Sequence, residues 1–74
     1  MQELPIISYV EAVRAFECAG WRIKRSGTHI IMVKSGSMAS LSIPKHHEIA
    51  KGTLRKLIRL SGLTVDEFVK FLQK

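Results

Sequence analysis

The sequence has one cysteine, two prolines and no long apolar run among its 74 residues. A single thiol excludes an intrachain disulfide, and such sparse cysteine usage is typical of proteins in a reducing cytoplasm. A membrane-spanning helix needs about 20 consecutive apolar residues, and no run approaches that length. The first residues include an acid and a proline but no basic stretch followed by an apolar block, which is not a signal-peptide pattern. These absences predict a soluble, cytoplasmic protein with no membrane partner.

Acidic residues are also scarce, with six Asp and Glu in the whole chain. Two of them, Glu11 and Glu67, fit helix-capping positions, and no convergent carboxylate pair remains for a two-metal nuclease. His46 and His47 are adjacent, so an extended segment would point them apart and make them a poor zinc pair. Glycine-rich phosphate loops and nucleophilic triad motifs are absent from the sequence as well. The sequence therefore predicts no metal ion and no cofactor.

Positive charge is what the chain has in excess. Twelve Lys and Arg oppose the six acids, which gives a formal net charge of +6. Such an excess on a small domain attracts polyanions, nucleic acid first, and anionic membranes or acidic proteins next. With 46% hydrophobic residues and no linker, repeat or low-complexity segment, residues 1–74 are expected to form one domain. The first few residues are expected to fray, with order from residue 8 onward.

Helix signals mark both ends of the chain. Ser8 and Glu11 form a capping box that opens a helix, and Gly20 ends it. A second helix, "TLRKLIRLSG", stops at Gly62, and another capping box from Thr64 to Glu67 opens a third. The apolar residues of each helix recur at helical spacing on one side: Tyr9, Ala12, Val13, Phe16 and Ala19; Leu54, Leu57 and Ile58; Val65, Phe68, Val69 and Leu72.

Three strand-length segments lie between the first two helices, namely "WRIKR", "HIIMVK" and "MASLSI", separated by turn residues. In the first strand Trp21 and Ile23 are predicted to be buried, so Trp21 is a core residue rather than a base-stacking platform. In the third, Leu41 and Ile43 are predicted to be buried, and Pro44 ends the strand. The predicted fold is α+β, a three-stranded antiparallel sheet with helices on one face in the order α-β-β-β-α(-α).

Cleavage of RNA is one reaction for which these residues suffice. RNA carries its own nucleophile, the 2′-hydroxyl, so cleavage requires only proton transfer and stabilisation of the negative charge that develops on phosphorus. A histidine exchanges protons near neutral pH, and neighbouring Lys or Arg can stabilise the charge.

Four segments in the same order resemble the HicA toxins of prokaryotic toxin–antitoxin pairs. They are "LPIISYVEAVRAFECAGW", "GTH" at Gly27–His29, "IPKH" at Ile43–His46 and "KGTLRKLIRLSGLTVDEFVKFL". The resemblance implies a small, metal-independent endoribonuclease that cuts mRNA, with a fold similar to the double-stranded RNA-binding domain. It also implies a HicB antitoxin as partner. The family's catalytic histidine follows Gly-Ser, which corresponds to His29 here.

The chain departs from the family pattern at two positions beside that histidine. Thr28 stands where serine is usual, which keeps the hydroxyl and adds a methyl group. Ile30 stands where many members have a second histidine. The resemblance also places Gly27 and Thr28 among the residues that contact RNA.

The sequence alone leaves other interpretations of each site residue open. His29 can be an ordinary strand-end histidine bonded to a backbone carbonyl. Strict alternation with Ile31 and Val33 would point it toward the core, whereas its place directly after the turn would allow it to extend into solvent. Lys24 and Arg25 are candidates for contact with the reacting phosphate, and they are also compatible with an ordinary solvated strand face. The remaining candidates for RNA contact are a loop histidine and three cations spaced by four on the second helix, each also compatible with simple solvation: His46, Lys51, Arg55 and Arg59.

Three functions from different classes therefore compete. The first is an endoribonuclease toxin, in which His29 transfers protons. The second is a non-catalytic RNA-binding module with the same fold, and the third is an interaction protein whose charge serves an acidic partner. Cleavage in the presence of a chelator separates the first from the others. The salt dependence of RNA affinity separates the second from the third.

Overall fold

Three helices and one three-stranded sheet make up the described part of the chain. The computed structural model describes residues 4–73. Its elements are α1 (Tyr9–Cys18), β1 (Arg22–Ser26), β2 (His29–Val33), β3 (Leu41–Pro44), α2 (Lys51–Ser61) and α3 (Val65–Leu72). The strands form one antiparallel sheet in the order β1-β2-β3. This architecture confirms the predicted α+β fold and its element order.

Both capping boxes are formed. The Glu11 amide donates to the Ser8 hydroxyl at 3.3 Å, and the Ser8 amide donates to a Glu11 carboxylate oxygen at 3.1 Å. At α3 the corresponding distances between Thr64 and Glu67 are 3.1 and 2.9 Å. Each box satisfies backbone donors that a helix start leaves unpaired. Gly62, with φ of 82°, ends α2 in the left-handed conformation that a residue with a β-carbon rarely adopts.

The core lies between one face of the sheet and the helices. Cross-strand pairs Ile30–Ile43 and Met32–Leu41 face the helices, and all four side chains are buried. α1 and α3 pack against each other there, with the rings of Phe16 and Phe68 5.0 Å apart at their centroids. The helices leave the other face of the sheet open. Within residues 4–73, no helix is both long and apolar enough to cross a bilayer.

The first strand differs from its prediction. Trp21 is buried as expected, but it precedes β1, and Ile23 is 44% exposed rather than buried. β1 lies at the edge of the sheet, whereas the helices pack mainly against β3 at the other side. Alternation along β1 therefore places Ile23 on the helix side without a helix above it to exclude water.

The described segment before α1 is packed against the rest of the protein. Leu4 and Ile7 are buried together with Ile49, which belongs to the β3–α2 connection. The Ile49 amide donates to the Ile7 carbonyl at 2.9 Å, and the Tyr9 amide donates to the His46 carbonyl at 3.0 Å. These contacts anchor the connection that precedes α2. Residues 1–3, where fraying was predicted, lie outside the described residues.

Candidate active site

His29 is the first residue of β2, directly after the two-residue connection from β1. Its carbonyl accepts a hydrogen bond from the Gly27 amide at 3.1 Å, which closes the turn. Its side chain is exposed. A β-carbon placed on Gly27 would meet no atom within 4 Å, so the turn borders open space. The turn thus presents the imidazole to solvent at one end of the sheet.

The sequence left the side chain of His29 open between the core and solvent, and in the structure it is exposed. His29 does alternate with Ile31 and Val33, but these residues lie on the open face, and Ile30 and Met32 carry the core. The sequence of β2 does not show which alternate residues face the core, because both sets contain hydrophobic residues. Pairing with Ile43 and Leu41 of β3 decides it.

A bulge in β1 brings Arg25 onto the same face. The register pairs Ile23 with Met32 and then Arg25 with Ile31, so Lys24 is the extra residue. Without that shift Arg25 would lie opposite Ile30, on the core side of the sheet. Directly paired residues extend to the same face, so Arg25 lies beside Ile31 on the open side. The bulge therefore places a guanidinium next to the strand that begins with His29.

These residues surround a shallow, open cleft. It has a volume of 260 Å³ and is lined by Arg25, Gly27, Thr28, His29 and Ile31. The Thr28 hydroxyl lies 3.4 Å from Nδ1 of His29. Lys24, predicted alongside Arg25, is exposed but does not line the cleft. The cleft combines a proton-exchanging group, a cation and one apolar wall.

The β3–α2 connection begins at the same end of the sheet, because His29 pairs with Pro44. His46 follows two residues later, and its exposed side chain lines a second depression of 330 Å³ together with Lys51. The remaining lining of that depression comes from Ile6 and residues 48–50. The structure therefore brings Arg25, Gly27, Thr28 and His29 into one cleft and places His46 and Lys51 in a different one.

The cations of α2 form an exposed face of the helix. Lys51, Arg55 and Arg59 are exposed, while Leu54, Leu57 and Ile58 on the other side are buried. No acidic residue occurs within the helix to neutralise them. A row of cations without acidic neighbours in the helix suits binding to a polyanion. With a nucleic acid, such charges contact the backbone phosphates and do not distinguish the bases.

Sequence reasoning missed two contributors to the cleft. Ile31 was expected to be a core residue, and the bulge that turns Arg25 outward was not foreseen. Neither has a local signal, since "WRIKRS" contains no glycine or proline to mark a bulge. Among residues 4–73, no group of three His, Cys, Asp or Glu side chains lies close enough to hold a metal ion.

A comparison with protein-family models matches residues 9–63 to the HicA toxin of bacterial toxin–antitoxin systems. The match covers more than half of the chain and includes α1, the sheet with its histidine turn, and α2. No curated protein and no solved structure matches the chain significantly. On the family match, this chain belongs to the HicA toxin family and is a toxin that works with an antitoxin partner.

Proposed function

We propose that this protein is the toxin of a type II toxin–antitoxin system and a metal-independent endoribonuclease that cleaves mRNA. One observation carries the proposal: an exposed histidine and an arginine border the same open cleft, in a chain of net charge +6. The reaction needs no more than this, because the RNA supplies the nucleophile. Membership of the HicA toxin family supports the same assignment.

His29 serves as the proton-transfer group. Thr28 occupies the side of Nδ1, so Nε2 is the ring nitrogen left for the substrate. Nε2 removes the proton from a 2′-hydroxyl as that oxygen attacks the adjacent phosphorus. The bond from phosphorus to the 5′-oxygen breaks, and the departing oxygen takes a proton from the imidazolium or from water. The products are a 2′,3′-cyclic phosphate and a 5′-hydroxyl end.

Arg25 stabilises the negative charge that builds up on the phosphate oxygens during attack. A guanidinium offers two parallel donors to a phosphate, and it is held here on the open face by the strand bulge. Gly27 has no side chain, and the space that a β-carbon there would enter is empty. The sugar–phosphate backbone can therefore approach the turn closely. Lys24 adds positive charge at the edge strand.

The other candidate residues bind parts of the RNA that lie at a distance from the reacting phosphate. Lys51, Arg55 and Arg59 contact backbone phosphates along α2, which gives affinity without base specificity. His46 lies at the same end of the sheet as His29. It contacts the RNA where the RNA passes from the cleft toward α2. A HicB-like antitoxin restrains the toxin by covering His29 and Arg25.

The test is cleavage of a labelled mRNA by metal-free protein in a chelator, with His29→Ala compared against His47→Ala. His47 is exposed and lines neither depression, so its variant controls for loss of an imidazole. Removing an acid–base group costs about 10²–10⁴-fold in rate, and that loss is expected for His29→Ala alone. Binding to RNA should persist in both variants, because the cations carry it.

Two outcomes would count against the proposal. A folded His29→Ala variant that cuts at nearly the wild-type rate would remove the mechanism. A wild-type protein that binds RNA but never cuts it would instead identify a non-catalytic RNA-binding module. Mapping the product ends for a cyclic phosphate tests the chemistry independently of the rate.

A further inference from the structure

Ile31 is an apolar side chain on the face of the sheet opposite the helices. It is half-buried there, and its cross-strand neighbours are Arg25 on one side and Ser42 on the other. It lines the cleft that contains His29, two residues earlier on the same face. Alternate residues of a strand are about 7 Å apart, so Ile31 and His29 are separated by about that distance along the strand.

The residues that line the cleft offer groups suited to the phosphate, the ribose and the base of one nucleotide. Arg25 offers donors for a phosphate, His29 offers a ring nitrogen for a ribose hydroxyl, and Ile31 offers an apolar surface. None of the five lining residues is acidic, so an anionic ligand meets no like charge. The volume of 260 Å³ is slightly below the roughly 300 Å³ at which drug-sized pockets begin, a size that suits a single nucleotide.

We propose that Ile31 is the apolar wall of a base-binding subsite, which takes the base of one unpaired nucleotide next to the cleaved phosphate. The inference rests on the proposed endoribonuclease function and names its substrate class as unpaired RNA. A base within a duplex is stacked and paired, so its flat face is not free to lie on Ile31. A splayed base in a single strand can contact an apolar side chain directly.

The chain contains a matched control for this role. Val33 is on the same strand and the same open face, it is also half-buried, and it also pairs with an arginine, Arg22. It does not line the cleft. A substitution that acts through strand stability or the general apolar character of this face should therefore have equal effects at Ile31 and Val33.

The experiment compares Ile31→Thr with Val33→Thr, because threonine keeps the β-branch that strands favour. For cleavage of an unpaired RNA, Ile31→Thr should raise KM about three- to tenfold through lost apolar contact, with kcat within about twofold. Val33→Thr should leave KM unchanged. Ile31→Phe should lower KM, since an aromatic ring stacks on a base. The same RNA annealed to its complement should resist cleavage.

A binding measurement separates this inference from the proposed reaction. The probe is a short RNA with a 2′-O-methyl group at the cleavage site, which removes the nucleophile. Weaker binding by Ile31→Thr than by Val33→Thr supports the subsite, whether or not the wild-type protein cleaves RNA. Equal binding by the two variants, or equal cleavage of paired and unpaired RNA, overturns it, even where His29→Ala abolishes cleavage.

Discussion

The hydroxyl of Thr28 lies 3.4 Å from Nδ1 of its neighbour His29. A hydroxyl can donate to that nitrogen or accept from it, so the contact can persist as the imidazole gains and loses a proton. In the proposed reaction, this contact holds the ring while Nε2 acts on the substrate. We therefore propose a positioning role for Thr28, which a serine hydroxyl at the same position can also fill.

Replacing Thr28 with valine tests this role, because valine keeps the shape and removes the hydroxyl. One hydrogen bond of this kind contributes about 0.5–1.5 kcal/mol, so kcat should fall about two- to tenfold with KM nearly unchanged. Thr28→Ser should retain wild-type kcat. Equal losses in the valine and serine variants would assign Thr28 to packing of the turn instead.

The cations of α2 are expected to set the salt dependence of RNA affinity. Replacing Arg55 and Arg59 together with glutamine should reduce the slope of log K against log salt by about 1 to 2 units, since fewer counterions are released. The double variant Arg14→Gln with Lys70→Gln removes the same charge from exposed positions on α1 and α3. An equal change of slope in both double variants would mean that net charge, rather than this helix face, governs binding.

The antitoxin is expected to approach under electrostatic attraction and to cover the cleft. Association should slow at least about tenfold between low and high salt, whereas dissociation should change less. Stopped-flow kinetics with the purified antitoxin measure both rates. In the complex, His29 should be protected from imidazole-modifying reagents and RNA should remain uncut. A complex that leaves His29 reactive would contradict inhibition by covering the site.

The contact between Phe16 and Phe68 is expected to support the helix layer. Phe68→Leu keeps an apolar residue but loses the ring pair, so the free energy of unfolding should fall by about 1–2 kcal/mol. Leu60→Ala on α2, where the leucine is 47% exposed, should change it by about 0.5 kcal/mol or less. Urea unfolding followed by circular dichroism measures both. Similar losses would show that the ring pair adds nothing to stability.

The sequence by itself determined the features that depend on near neighbours in the chain. Both capping boxes, the helix end at Gly62 and the buried stripe of α2 are each formed by residues within a few positions of one another. Their physical causes act inside single elements, so the sequence pattern predicts them without knowledge of the fold. The candidate histidine is different: the residues alone left His29 open as an ordinary strand-end histidine, and it was selected through the resemblance of the Gly27–His29 segment to a family motif.

Tertiary structure decided which side of the sheet each residue occupies. The run from Ile30 to Val33 is apolar throughout, and only its pairing with β3 sends Ile30 to the core and leaves Ile31 beside His29. The bulge at Lys24 places Arg25 in the cleft through its register with β2. Burial of Leu4 and Ile7 likewise depends on Ile49, more than 40 residues away in the chain. Each of these outcomes depends on contacts between distant segments, which local sequence patterns do not encode.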